Sequence, residues 1–232
     1  MKDVTYFPLH EGAVMIDFGK TINRETNKKI LQLAKVLKDQ PFHGFIEAVP
    51  AYTTLTVYYD PIIGESQSFT KICSWIENYL DNLPLDDTSA NTINIPVCYD
   101  LAYAPDIEEV ARTNNLTVKQ VVKYHTEIIY HVYFLGFSPG FPFLGGLNPK
   151  LATPRKSNPR IKINAGSVGI AGNQTGIYPS DSPGGWQIIG RTPKSLLQIE
   201  KNPPTLLQPG DNLSFYAISK DEFEQWEENQ WV

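Results

Sequence analysis

The first hundred residues alternate between apolar patterns with helical spacing and apolar patterns typical of strands. Two segments carry apolar stripes at helical spacing with polar residues between them. The stripes are Ile30, Leu33, Ala34 and Leu37 in the first segment, and Phe69, Ile72, Cys73, Ile76 and Leu80 in the second. Four segments rich in β-branched and aromatic residues predict strands: AVMIDFG, GFIEAVPAY, TTLTVYYD and NTINIPVCY. The predicted order is β-α-β-β-α-β, the split βαβ or ferredoxin-like arrangement.

An acidic segment, residues 81–91 (DNLPLDDTSAN), follows the second predicted helix. We interpret it as an exposed connection between a first domain at residues 1–81 and a second at residues 92–232. The last predicted strand of the first domain lies beyond this connection, which leaves open an extension of that domain to residue 100. The first domain has no glycine-rich phosphate loop and no clustered catalytic set, so we interpret it as a scaffold and interaction surface.

Two short helices are predicted within residues 105–126, from the segments APDIEEVARTNN and LTVKQVVKYHTE. Thr117 and Gln120 have the spacing of a capping box at the start of the second helix. The apolar stripe of that helix runs over three valines and reaches His125 at its next position. Two interpretations of His125 stay open. It is either a core residue with one satisfied hydrogen bond, or part of a site where the helix ends.

The composition changes sharply in residues 136–190, which contain 11 of the 16 glycines. Short apolar segments alternate there, and after it, with turn residues: GSVGIAG, QTGIYP, GGWQIIGRTP and DNLSFYAIS. Glycine allows strands to bend and backbones to approach closely, while valine, isoleucine, tyrosine and tryptophan fill an interior. This pattern predicts a tight β-barrel with a pocket or an interface at its bends.

The same region has the opposite charge to the rest of the chain. It holds five basic residues against one acid, whereas the whole chain has a formal net charge of -5. Such an asymmetry indicates either a surface that attracts a carboxylate or phosphate, or a basic rim that docks an acidic partner. The overall charge excludes a typical nucleic-acid-binding protein, which would show a basic surplus.

Several kinds of chemistry have no motif in this chain. The glycines do not form G-x-G-x-x-G, and neither G-K-[ST] nor G-x-S-x-G occurs. No His/Cys cluster predicts a metal site, and we expect the two cysteines, Cys73 and Cys98, to be buried free thiols. Without a signal-peptide core or a run of eighteen apolar residues, we expect a cytoplasmic protein that does not enter the membrane.

The second half carries long motifs that resemble a known family. They are LGFSPGFPFLGGL, TPR, AGSVGIAG, QTGIYP and SPGGWQIIGRTP, with LLQPGD near the end. The chain resembles the B subunits of bacterial ATP-dependent 5-oxoprolinase, also described as allophanate hydrolase subunit 1 or carboxyltransferase subdomain C. A sporulation-kinase inhibitor belongs to the same family. The likeness extends over nearly the whole sequence.

The resemblance implies an α+β fold, with an N-terminal ferredoxin-like domain followed by a C-terminal cyclophilin-like β-barrel. It also implies a complex with A and C subunits that opens 5-oxo-L-proline to L-glutamate with ATP. Because the chain has no P-loop, we expect ATP to bind at a shared or unusual site of the complex. We further expect that the chain alone is inactive.

The candidate site residues follow from their chemistry. Arg155 and Arg160 can hold a carboxylate or phosphate through their planar guanidinium groups. Gln174 and Tyr178 can donate or accept hydrogen bonds at the lactam or at a developing charge, and His125 can move a proton near neutral pH. The alternatives are rim salt bridges for the arginines, a turn ligand for Gln174, and core packing for Tyr178 and His125.

Two other functions fit the same motifs. One is a regulatory protein that inhibits a histidine kinase. The other is a carboxyltransferase or allophanate-type component of a biotin-dependent urea-type system, in which biotin comes from a partner because the chain shows no biotin-attachment motif. Genes for A and C subunits beside this one would favour the oxoprolinase.

Overall fold

The computed structural model describes residues 4–62, 68–83 and 92–228. The chain divides into two compact units, Met1–Ser89 and Ala90–Val232. The first unit contains β1 (Thr5–His10), β2 (Ala13–Asp17), α1 (Arg24–Asp39), β3 (Phe45–Pro50), β4 (Thr54–Tyr59) and α2 (Phe69–Asp81). Its four strands form an antiparallel sheet in the order β1-β2-β4-β3.

Both predicted stripes form the buried faces of helices in this unit. In α1 the side chains of Ile30, Leu33 and Leu37 are fully buried, and in α2 those of Ile72 and Ile76 are. They pack with the inward-facing residues of the sheet in one core. Side chains fix both helix starts, because Asn23 accepts a hydrogen bond from the Thr26 amide and Ser68 accepts one from the Lys71 amide.

The last strand of the predicted β-α-β-β-α-β order does not belong to this sheet. The segment forms β5 (Thr92–Cys98), which pairs with strands of the second unit. Instead, β1 pairs with β2 at the edge of the sheet, and the hydrophobic pattern did not predict β1. The described order is therefore ββαββα, and the extension of the first domain to residue 100 is wrong. Of the predicted connection, residues 84–91 lie outside the described part.

The second unit adds four helical segments and eight strands to β5. They are α3 (Ile107–Thr113), α4 (Val118–Thr126), β6 (Ile129–Leu135), β7 (Pro142–Gly145), the 3-10 turn Pro149–Leu151, β8 (Arg160–Ile163), β9 (Ser167–Ala171), β10 (Gln174–Ile177), β11 (Ser182–Gly184), β12 (Gln187–Arg191), β13 (Asn212–Ile218) and α5 (Lys220–Glu228). Seven strands close a barrel in the order β10-β7-β6-β13-β5-β12-β9, and β8 pairs with β11 in a separate ribbon. The predicted barrel is confirmed.

Glycine at position 166 shows why the barrel needs so many glycines. Its φ is +81°, and a Cβ built there would lie 2.3 Å from the carbonyl oxygen of Thr192. The Gly166 amide donates to the Tyr178 carbonyl at 2.7 Å, and its carbonyl accepts from the Thr192 amide at 2.9 Å. A side chain would therefore separate backbones that are hydrogen-bonded to one another.

Both cysteines are buried free thiols, as predicted. Burial, with a smaller contribution from Glu77, raises the pKa of Cys73 to about 11. Over the described ranges, no three His, Cys, Asp or Glu residues are grouped so that they could hold a metal ion. None of the helices in those ranges has the length and apolar character needed to cross a membrane.

Candidate functional site

A buried carboxylate, that of Asp106, organises one end of the second unit. Asp106 stands directly before α3 but does not cap that helix with its side chain. Its Oδ1 instead accepts hydrogen bonds from Arg160 Nη2 at 2.7 Å and Lys156 Nζ at 2.9 Å. Its Oδ2 accepts from the Ile188 amide at 2.7 Å. The carboxylate thus ties α3 to β12 and to the segment that leads into β8.

The environment of Asp106 keeps it ionised. Burial alone would raise the pKa of this carboxyl group. The hydrogen bonds from Arg160, the Ile188 amide and Lys156 outweigh that effect and lower the pKa below its ordinary value of 3.8. Sequence reasoning gave Asp106 no role. The only signal in the sequence was an acidic residue at the start of a predicted helix, and such a residue is normally an exposed N-cap.

A cavity of about 220 Å³ lies beside this carboxylate, and Arg160 is part of its lining. Two further cations, Lys162 and Arg191, line it as well. Its uncharged lining includes Tyr103, Asn164, Ser167, Ile163 and Ile188. In the described part of the chain, no acidic side chain lines the cavity. The arrangement combines positive charge with an apolar wall, which suits a small ligand that carries one anionic group.

Strand β8 contributes two of these cations, Arg160 and Lys162, together with the buried Ile163. Ile161, between the two cations, is 93% exposed and does not line the cavity. The segment RIKI therefore brings two members of the basic surplus of the glycine-rich region to the same cavity.

Of the predicted site residues, Arg160 lines the cavity, whereas Arg155 and Tyr178 contact Trp186 and are not part of the lining. The guanidinium carbon of the exposed Arg155 stands 6.0 Å from the centre of the Trp186 ring. Tyr178 is buried and meets Trp186 and Phe141 edge to face. Burial raises the pKa of Tyr178, while a hydrogen bond with the Trp186 backbone and the charges of Arg155 and Arg160 act in the opposite direction.

The remaining two predicted residues do not line this cavity. Gln174 is half-buried at the start of β10, where it pairs with Ala171. His125 is fully buried and stacks on Phe215, with ring centres 4.5 Å apart. The structure therefore places His125 in the core, and a catalytic role for it has no support in this geometry.

Hydrogen bonds define the state of the His125 ring. Its Nε2 lies 3.2 Å from the hydroxyl of Thr175, which already donates its hydrogen to the Gly169 carbonyl at 3.0 Å. Nε2 therefore donates to Thr175, and Nδ1 accepts from the Tyr99 hydroxyl at 2.7 Å. Burial lowers the pKa of His125 to about 3, so the ring is neutral at physiological pH.

The fold and these motifs place the chain in a defined class. The family model "Carboxyltransferase domain, subdomain C and D" matches residues 4–207, and the chain belongs to this family. It is 46% identical over 228 residues to the 5-oxoprolinase B subunit of Bacillus subtilis (strain 168), and the match covers 95% of each protein. The resemblance predicted from the motifs is confirmed.

More distant relatives and a solved structure are also similar to this chain over most of its length. The chain is 39% identical to the 5-oxoprolinase B subunit of Escherichia coli O157:H7, over 93% of this chain and 96% of that protein. It is 27% identical to urea amidolyase of Lachancea kluyveri, over 97% of this chain but 14% of that protein. The crystal structure of TTHA0988 superposes with a TM-score of 0.78 at 38% identity, over 89% of this chain and 40% of that one.

Proposed function

We propose that this chain is the B subunit of an ATP-dependent 5-oxoprolinase, which opens 5-oxo-L-proline to L-glutamate together with A and C subunits in the cytoplasm. The observation that carries the proposal is the 46% identity with a 5-oxoprolinase B subunit over 95% of both proteins. Similarity that extends from end to end supports a shared role, whereas a shared fold alone says little about function.

The cavity beside Asp106 supports this function chemically. 5-Oxoproline is a small lactam ring that carries one carboxylate. Arg160 offers a charge-assisted partner for that carboxylate, while Ile163 and Ile188 offer apolar surface to the ring. The chain thereby binds and orients the small substrate, and Tyr178 remains a candidate neighbour of the lactam.

The cavity is small for a whole ATP molecule. Its volume of about 220 Å³ is below the roughly 300–1,000 Å³ that is usual for pockets of larger ligands. The sequence also lacks a P-loop. We propose that ATP binds where this chain meets its partners or on a partner, and no step on ATP is assigned to the residues described above.

The purified chain alone is expected to form no glutamate from 5-oxoproline and ATP. The physical reason is that its sequence shows no nucleotide motif and no nucleophile with an adjacent base. Co-expression with the A and C subunits, followed by measurement of glutamate with and without ATP, is expected to restore activity. Robust ATP-dependent turnover by the single chain would contradict the expectation, and an inactive reconstituted complex would contradict the proposed function itself.

Arg160→Lys is expected to reduce activity of the reconstituted complex about ten- to a hundred-fold. Lysine cannot reproduce the planar fork of arginine, and one charge-assisted contact is worth roughly 1.5–3 kcal/mol. Arg155→Lys is the matched comparison, because Arg155 is exposed and lies outside the cavity lining. For Arg155→Lys we expect a loss below about 1 kcal/mol.

Circular dichroism and partner pull-down accompany the Arg160→Lys and Arg155→Lys assays. Equal, normal activity in both variants would show that the arginines only form a solvated rim. If activity is lost together with partner binding, these arginines belong to an interface with another chain of the complex instead.

A carboxyltransferase role in a biotin-dependent urea-type system is the second candidate. It is supported by the name of the family and by the similarity to a urea amidolyase. That similarity is distant and covers 14% of the amidolyase, so the oxoprolinase is favoured. An assay of urea carboxylation with a biotinylated partner separates the two. Inhibition of a histidine kinase remains a prediction, which an autophosphorylation assay with the purified chain would test.

A further inference from the structure

The turn between β6 and β7, residues 136–141, presents an aromatic side chain to solvent. Its sequence, GFSPGF, belongs to one of the long motifs of the second half, and none of its residues lines the cavity beside Asp106. Phe137 in this turn is 72% exposed. Single exposed apolar side chains are common on protein surfaces, so the exposure has to be weighed together with the backbone.

The backbone of Phe137 has a conformation that disfavours phenylalanine. Its φ is +66°, in the left-handed region, where a residue with a Cβ is strained. The Ser138 amide donates to the Gly136 carbonyl at 2.7 Å, across Phe137. This is the hydrogen bond of a γ-turn, and a γ-turn whose central residue has a positive φ is rare and strained. Strained residues are concentrated at sites of binding and catalysis.

Neighbouring contacts hold the strained turn in one conformation. The Gly136 amide donates to the Phe141 carbonyl at 3.0 Å, and the Phe141 amide donates to the Ser138 carbonyl at 3.0 Å. Gly140 follows with a φ of +79°, and a Cβ built there would lie 3.3 Å from Thr205 Cγ2. Glycine or asparagine at position 137 would adopt the same backbone at a lower cost in free energy. The chain nevertheless has a phenylalanine there, with most of its ring in water.

A contact within the turn also orients the Phe137 ring. Its centre lies 5.6 Å from that of the Phe141 ring, and the two rings meet edge to face at 72°. Phe141 is buried and contacts the buried rings of Tyr178 and Trp186 in turn. Phe137 is therefore the exposed outer member of an aromatic cluster. A side chain that is already ordered loses little conformational entropy when another protein covers it.

An exposed, ordered aromatic side chain has the properties of an interface anchor. Aromatic residues are enriched at protein interfaces, and a few side chains that fill pockets of the partner carry most of the binding energy. The comparison with TTHA0988 indicates what that partner is. The match covers 40% of TTHA0988, so more than half of that polypeptide is additional protein joined to a counterpart of this chain.

We propose that Phe137 anchors this chain to a partner subunit by filling an apolar pocket on it. The partner is the subunit, A or C, whose sequence is similar to the part of TTHA0988 outside the match. The inference rests on the proposed function, because it takes the chain to work in a complex with these subunits. The other subunit serves as the negative comparison.

Affinities of the full chain for the purified partner subunit test the anchor. Phe137→Asn is expected to weaken binding at least about ten-fold, because asparagine accepts the left-handed backbone but has no ring. Phe137→Leu keeps an apolar side chain and is expected to lie between Phe137→Asn and the unchanged chain. Ile62→Asn is the matched control, since Ile62 is an apolar residue of the first unit with 87% exposure. We expect it to change the affinity less than about two-fold.

Thermal denaturation of the single chain provides a readout that a structural role would move. Phe137→Asn is expected to keep or raise the Tm, because it relieves a strained backbone and removes a ring that is mostly in water. A Tm lowered by more than about 4 °C would show that Phe137 serves the fold and would reject the anchor.

Glutamate formation separates the anchor from the proposed function. An excess of the partner subunit is expected to restore turnover by the Phe137→Asn complex to that of the unchanged complex, because Phe137 does not line the cavity. Equal partner affinity of Phe137→Asn and the unchanged chain rejects the anchor alone, as does turnover that stays low at saturating partner. A ten-fold weaker Phe137→Asn interface in a complex that forms no glutamate rejects the proposed function alone.

Two further results would overturn the inference. One is the absence of binding between the unchanged chain and the named subunit, whether or not the mixture forms glutamate. The other is self-association of the chain, measured by sedimentation, that Phe137→Asn abolishes while binding of the subunit stays unchanged. In that second case Phe137 would contact another copy of the same chain.

Discussion

Replacing Asp106 by alanine is expected to lower the free energy of unfolding by about 3–5 kcal/mol, because removal of one partner from a buried ion pair leaves charge uncompensated. Three donors lose their acceptor: Lys156, Arg160 and the amide of Ile188. Urea denaturation of both proteins measures the difference. Asp181→Ala is the matched control, since that carboxylate is about half exposed and pairs with Lys162 near the surface. Its replacement is expected to change stability far less, because solvent screens an exposed ion pair.

The pH dependence of stability provides a second readout for Asp106. The pKa of this carboxyl group is lower in the folded protein than its ordinary value of 3.8. A lowered pKa stabilises the fold at pH values above the unfolded pKa, and this contribution disappears as the pH falls through the folded pKa. The unchanged protein is therefore expected to lose more stability than Asp106→Ala on acidification below about pH 4. Parallel pH profiles for the two proteins would contradict the role of Asp106.

Gly166→Ala is expected to cost roughly 2–5 kcal/mol of stability. The left-handed backbone at this position carries a penalty of roughly 1–2 kcal/mol for a residue with a Cβ. The new methyl group would also stand 2.3 Å from the Thr192 carbonyl oxygen, and such overpacking costs roughly 1–3 kcal/mol. Thermal and urea denaturation measure the loss.

Gly172→Ala separates these two contributions. Gly172 also has a positive φ, of 57°, but a Cβ built there meets no atom within 4 Å. We expect this variant to show only the backbone penalty, so the two variants differ by at least about 1 kcal/mol. If both variants lose the same stability, the contact with Thr192 relaxes without cost and the explanation for glycine at position 166 is incomplete.

Local patterns predicted the helices well. The stripes of α1 and α2 became buried faces, and the capping box of Thr117 and Gln120 forms with both of its reciprocal hydrogen bonds. These features depend on residues three or four positions apart, which a sequence displays directly. The glycine-rich pattern also predicted a barrel correctly, because the alternation of glycines and large apolar residues reflects close backbone approach.

The pairing partner of β5 could not be predicted from local sequence patterns. Its apolar pattern suits an edge of the first sheet as well as a wall of the barrel, and only long-range pairing decides between them. β1 was missed because most of its residues are exposed and Pro8 interrupts the strand pattern. The Asp106 cluster joins residues 50 to 82 positions apart, so its members look unrelated in the sequence. The basic surplus of residues 136–190 predicted either an anion-attracting surface or a basic rim. It includes Arg160 and Lys162 of the cavity lining, whereas Arg191 lies one residue beyond that region.

The parallel pairing of β5 with β13 determines when the barrel can form during synthesis. It joins Thr92 to Asn212 and Cys98 to Ile218. Strand β5, near the start of the second unit, therefore cannot complete its pairing until β13, near the end of the chain, has been synthesised. The elements of the first unit, in contrast, are complete by Asp81. On the ribosome, the growing barrel must therefore keep the edges of β5 and β6 exposed until β13 emerges between them. Unpaired edges of this kind favour association with other chains.

A premature stop just before Asn212 would release a polypeptide that keeps nearly all its apolar core residues but has a permanent gap between β5 and β6 in the barrel. Such a polypeptide would be a substrate for chaperones and proteases rather than a subunit that can assemble.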